Sequence, residues 1–188
     1  EIPFFCYTKV SAGPFPRNMN RGRIEYYVQL RNEATRAALK IFPRTEHILS
    51  VESYYLNQPG QIRRLIKEYD GRSILGASTW IWDRTRVLPV ARFYDTWATP
   101  EAKGLKFSLV RPRGRRRVSS VGSCVLFPRF VWEMHGYGVP EPFPEAGCEY
   151  NYLCQKSGVP VWLTFEASLW RDPDTVDTPT RYPWARRV

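Results

Sequence analysis

The chain has 188 residues, 43% of them hydrophobic, enough for one domain with a substantial core. Its 28 Lys and Arg outnumber 18 Asp and Glu, and the net charge of +10 suits a polyanionic partner (nucleic acid, an anionic membrane surface or a phosphorylated small molecule) without choosing among them. No apolar run is long enough to span a bilayer and no signal-peptide pattern stands out, so the expectation is a soluble chain, cytoplasmic or peripheral to a membrane. Because the chain starts on an apolar run at Glu1, there is room for a missing leader. Cys6, Cys124, Cys148 and Cys154 lack C-x-x-C spacing and His47 lies far from His135, which argues against zinc. Cys148 and Cys154 are close enough in sequence to bridge, but buried free thiols are the simpler expectation. Sparse Asn and Gln beside abundant Arg, Pro and Glu hint at a thermophilic source.

Residues 2–10 form a β-rich apolar run, the expected first strand, delivering Thr8 and Lys9 to its carboxyl end. A loop rich in Gly, Pro and Arg follows, and in doubly wound folds such a loop embraces a nucleotide. Lys9, Ser11 and Arg17 are therefore candidates for base, ribose or phosphate contacts, as readily as members of a solvated basic loop. A helix then gathers Ile24, Tyr27, Val28, Leu30, Ala34, Ala37, Ala38 and Ile41 on one face, with Glu25, Gln29, Glu33, Arg36 and Lys40 outward. Arg31 falls on the apolar side, where a charge requires an anionic partner, either carboxylate or phosphate.

Pro43 ends that helix, and residues 47–51 read as a buried parallel strand with Glu52 at its carboxyl end. A second helix is capped by Asn57 or Gln58, opens on Pro59, buries Ile62, Leu65 and Ile66, and ends at Gly71. Residues 73–77 read as another buried strand, and 79–82 either extend or leave it. Residues 100–117 carry the run RPRGRRR, expected as a mobile loop that closes over a diphosphate or touches anionic lipid head groups, closure being preferred. The absence of interleaved aromatics between Arg111 and Arg117 weakens a single-stranded nucleic-acid reading. Residues 118–127 read as a strand broken by Gly122, a sign of close approach. A helix over residues 128–134 follows, then a turn-rich stretch, then a helix from Glu149 to about Ser157 stopped by Gly158, with a strand over 158–163.

These residues resemble, in order and spacing, the GT-A glycosyltransferases: the Arg31-Asn32 pair on a helix, a strand ending in the acidic corner Glu52-Ser53-Tyr54, and a P-x-x-I-x-x-L helix from Pro59. Residues 93–97, FYDTW, resemble a segment of the fungal capsule-associated mannosyltransferases, and Glu149-Tyr150 stands where the family opens a helix on an acidic pair. The resemblance implies an α/β fold with a mostly parallel, Rossmann-like sheet flanked by helices. It implies a domain over residues 1–172, with a nucleotide-binding half (1–75), an acceptor half (76–172) and an extended tail (173–188). It further implies transfer of a sugar from GDP-mannose or a UDP-sugar to a glycan, lipid or protein acceptor. Glu149 and Asp95 would be catalytic, Glu149 as the base if configuration inverts. Thr8, Lys9, Ser11, Arg31, Glu52, Tyr54 and Arg171 would hold the donor, and Gly122, Ser123 and Trp97 would face the acceptor. The family's corner holds Mn2+ or Mg2+; here its second acid is Tyr54 and the usual histidine gives way to Trp170 or Arg171, so metal would be weakly held by Glu52 or replaced by arginines. Asp95 is equally explained as a turn cap and Glu149 as a helix-terminal carboxylate. The alternative is a non-catalytic basic binding module on the same scaffold, taking nucleic acid or an anionic surface.

Overall fold

The computed structural model describes residues 20–52, 58–83, 90–107 and 109–171. Thr8, Lys9, Ser11, Tyr54, the expected first strand and the tail beyond Arg171 lie outside them. Helix α1 (Arg21–Ile41) starts at Asn20, whose side chain accepts from the Arg23 N–H, and Ile24 is its fully buried residue. Tyr27 and Val28 pack beside Ile24, whereas Ile41, expected inside, is exposed at the last turn.

Among the described residues the sheet has seven strands: β1 (His47–Val51), β2 (Ile74–Asp83), β3 (Val90–Phe93), β4 (Lys106–Phe107), β5 (Arg115–Arg117), β6 (Cys124–Pro128) and β7 (Val161–Trp170). Strands β1, β6, β2, β7 and β5 lie side by side in that order, and β3 with β4 continues along the far half of β2. Among these only β2 and β7 pair in parallel; β6 runs antiparallel to both β1 and β2. The expectation of a mostly parallel sheet is thus corrected to an open mixed sheet, and β1, expected as a parallel strand, pairs antiparallel with β6. Its direction still matches that of β2, because β6 reverses between them.

Alternation along the strands separates two apolar layers. Ile74, Trp80, Val125 and Phe127 face α1, α3 (Arg129–His135) and α4 (Glu149–Lys156), while Leu75, Ala77, Cys124 and Leu126 face α2 (Pro59–Glu68) through Leu65 and Ile66. Gly76 is required on the first face, since a Cβ there would stand 2.4 Å from the Val121 Cβ. Helix α2 is not capped by the Gln58 side chain, which instead exchanges two hydrogen bonds with the Trp170 backbone. Gly71 and Gly158 both take positive φ just past their helices.

Two expectations fail for identifiable reasons. The strand expected over residues 118–127 begins only at Cys124, because Ser123 adopts φ 63° and turns the chain before the ladder starts. The basic run is also not a free loop. Register between β2 and β7 shifts at Ala77/Ser78, and the bulge on β7 turns out the carbonyls of Phe165 and Glu166. Arg111 donates to both carbonyls and to the Ser168 hydroxyl, and Arg115–Arg117 continue as β5 along β7.

Candidate functional site

Arg31 is the centre of the site. One turn of α1 beyond Tyr27 places its guanidinium over the carboxyl end of β1, where Nη2 donates to Glu52 at 3.2 Å and Nη1 to the Ser50 hydroxyl at 3.4 Å. From the other side Nε donates to Glu149 at 2.8 Å. The Tyr150 ring lies 4.4 Å from the guanidinium carbon, and its hydroxyl shares a 2.9 Å hydrogen bond with Ser50. The anionic partner that the sequence demanded is therefore a pair of carboxylates contributed by residues 21 and 118 positions away. Burial works to lower the Arg31 pKa, but Tyr150, Glu149, Glu52 and Tyr137 outweigh it and hold the group well above its ordinary value.

Glu149 opens α4, is fully buried, and is fixed there by the turn around it: the Cys148 N–H donates to Asn151 Oδ1 while Asn151 Nδ2 reaches Ser120 at 2.5 Å. Glu52 differs. Its backbone N–H is bound by the Ser123 carbonyl at 2.9 Å, yet its Oε2 is buried without a hydrogen-bond partner. Burial pushes the Glu52 carboxyl up to about 7 against the pull of Arg31, with Asp95 and Glu149 adding to the rise.

Asp95 completes the acidic group. Its carboxylate accepts from the Ser123 hydroxyl at 2.6 Å and from the Ala98 N–H, so the turn-capping role is realised. Burial raises its pKa all the same, those two hydrogen bonds opposing the rise and Glu149 reinforcing it. Gly122 permits this approach: a Cβ there would lie 2.6 Å from Asp95 Oδ2 and 2.4 Å from the Ala98 Cβ. Beside Asp95, the Tyr94 ring carries the Arg171 guanidinium 4.4 Å from its centroid, and Arg171 Nη1 donates to the Tyr94 hydroxyl. Arg171 in turn draws the Glu52 carboxyl downward, so it belongs to the same electrostatic group.

The structure thus brings together Arg31, Glu52, Asp95, Glu149, Gly122, Ser123 and Arg171. Trp97 stands off to one side, its indole N–H donating to the Pro144 carbonyl at 3.3 Å and its ring against Phe143. The arginines from Arg111 to Arg117, expected to close over this site, are fastened to β7 and, through Arg115, to Glu68 of α2. Sequence reasoning missed Ser50, Tyr137, Tyr150 as a platform for Arg31, Asn151, and the contact of Tyr94 with Arg171. Asn32, named in the sequence only as part of the Arg31-Asn32 pair, binds Tyr137 N, Tyr137 O and the Trp132 indole and so locks α1 to the segment after α3.

Among the described residues no three His, Cys, Asp or Glu side chains are grouped to hold a metal ion. Glu52 offers a single unpartnered oxygen, with two guanidinium groups in its field, a poorer donor set than the several oxygens a divalent cation takes. Cys124, Cys148 and Cys154 are free and buried, so Cys148 and Cys154 do not bridge. No helix among the described residues is long and apolar enough to cross a membrane. No protein-family model matches the chain, and no curated protein matches it either.

Proposed function

We propose that the chain is a glycosyltransferase and that the crevice around Arg31 is where a nucleotide-diphosphate sugar meets its acceptor. The observation that carries this reading is the convergence of Glu52, Asp95 and Glu149, from three separate elements, in a chain whose net charge is +10. Three carboxylates with two guanidinium groups suit a reaction in which positive charge grows on a sugar ring while negative charge grows on its leaving group. In this reading Asp95 and Glu149 face the oxocarbenium-like centre, and Glu52 holds the sugar. Arg171 meets the diphosphate, and Trp97 borders the acceptor together with Gly122 and Ser123. Arg31 already serves two carboxylates, so its part is to position Glu149 and Glu52 rather than to bind phosphate. Among the described carboxylates of this crevice only Glu52 has a buried oxygen without a hydrogen bond, and in this reading phosphate charge is met by arginine.

The test is release of nucleotide diphosphate from GDP-mannose and a panel of UDP-sugars, with and without EDTA, against a mixture of glycan, lipid-linked and peptide acceptors. The reading expects turnover with one donor that survives EDTA and is lost in D95N. Loss restored by manganese would overturn the arginine assignment, and no turnover with any donor would overturn the activity. The second reading, a non-catalytic module, is favoured by the burial of Glu149 in its ion pair with Arg31. It predicts nucleotide binding without turnover, or none at all.

A further inference from the structure

At the opposite edge of the sheet from β1, strand β5 has β7 as its one partner among the described residues and presents Arg115, Arg116 and Arg117 to solvent. Before it in the chain, separated from it by residues 111–114, Leu109 and Val110 are 94% and 83% exposed. This pair is not on a loose end: Arg111, the next residue, is plugged into the β7 bulge by its hydrogen bonds to Phe165, Glu166 and Ser168. Gly114 is tied to Glu166 as well, at 2.8 Å. The neighbouring helix α2 adds the exposed cations Arg63, Arg64 and Lys67; burial weakens the hold of Arg111 on its proton, and Arg64 adds to that effect.

Arginines along an edge strand protect it from pairing with other strands. That explanation accounts for β5 but not for Leu109 and Val110, since two adjacent aliphatic side chains held out in water beside an open edge make it stickier. A partner that wants both features resolves the conflict. Nucleic acid uses the cations, but between Leu109 and Arg117 the chain offers no aromatic ring on which bases could stack. The surface of an anionic bilayer uses both: lipid phosphates and carboxylates meet the guanidinium groups, and an aliphatic pair sinks to the acyl boundary.

We infer that the β5 edge, with the exposed Leu109 and Val110 preceding it in the chain and the exposed cations Arg113, Arg116 and Arg117 along it, docks the protein on an anionic lipid surface. The site is separate from the crevice around Arg31 and does not depend on what that crevice does.

Co-sedimentation with phosphatidylcholine vesicles, alone or with about a third phosphatidylserine, tests it. The expected result is binding to the serine-containing vesicles alone. It should weaken about a hundredfold in R113S/R116S/R117S, from roughly fivefold per cation lost, and about tenfold in L109S/V110S. Both variants change exposed side chains, so their melting temperatures should match that of the parent and any loss reads the surface. Four results would overturn the inference: no binding to either vesicle, equal binding to both, full binding by L109S/V110S, or displacement from vesicles by equimolar short oligonucleotide. The last two would assign the edge to polyanions in general.

Discussion

Replacing Arg31 by Met keeps most of the side chain's apolar length and removes only its charge and donors, which isolates the electrostatic role of the residue. In the parent, Arg31 gives one hydrogen bond at 2.8 Å to a fully buried Glu149 and another at 3.2 Å to Glu52, and lies over Tyr150. Hydrogen bonds to charged groups contribute about 1.5–3 kcal/mol each, and the two overlap because they share one cation. Breaking a buried ion pair from one side costs about 3–5 kcal/mol, because the abandoned charge stays buried. R31M should therefore lose about 3–5 kcal/mol at pH 8, which for a chain of this length lowers the melting temperature by roughly 6–20 °C. At pH 5 the Glu52 carboxyl, raised to about 7, is already protonated and leaves no charge there for Arg31 to balance, so the penalty should fall below about 2 kcal/mol. Chemical denaturation of parent and R31M at the two pH values measures this, and R31M/E149Q should recover at least about 1 kcal/mol at pH 8. A cost below about 1 kcal/mol at pH 8, or the same cost at both pH values, would refute the account of Arg31 as the counter-ion of two buried carboxylates.

Other consequences follow from the same geometry. With Glu52 raised to about 7 in the fold, the native state binds more protons than the unfolded chain between roughly pH 4.5 and 7, so stability falls as pH rises through that window. E52Q removes this dependence and should gain on the parent by up to about 3 kcal/mol between pH 4.5 and pH 8, which paired denaturation curves check. G122A must push a methyl against the Ala98 Cβ and the Asp95 carboxylate, and should cost about 1–3 kcal/mol while displacing Asp95, visible as a lowered melting temperature and a changed pH profile of binding. Burial pushes the Cys124 and Cys154 thiols up to about 12 and holds Cys148 well above its ordinary value, so iodoacetamide at pH 8 should leave these three unlabelled in the native protein and label them after denaturation, as peptide mapping would show.

What could be read from the sequence was local. The 3.6-residue period of α1 exposed Arg31 as a charge on the wrong face, and that anomaly alone pointed to a buried anion. Glu149 at a helix start and Gly122 at a close approach were likewise carried by short-range rules that tertiary packing obeyed. Strand direction was not legible, since apolar runs such as those of β1 and β6 have the same pattern whether paired parallel or antiparallel. Nor was the anchoring of the basic run, because the carbonyls that bind Arg111 exist only once β7 bulges against β2. The partners of Ser50, Asn32 and Tyr94 lie 100, 105 and 77 residues away, beyond any periodicity.

The most direct test of the central claim is calorimetric titration of GDP-mannose and UDP-sugars into the parent, E52Q and D95N. If the crevice around Arg31 is the donor site, one nucleotide sugar binds the parent and both variants weaken it at least about tenfold, corresponding to a lost contact of 1.4 kcal/mol or more. Binding that is unchanged in both variants, or no binding of any nucleotide sugar to the parent, would contradict it.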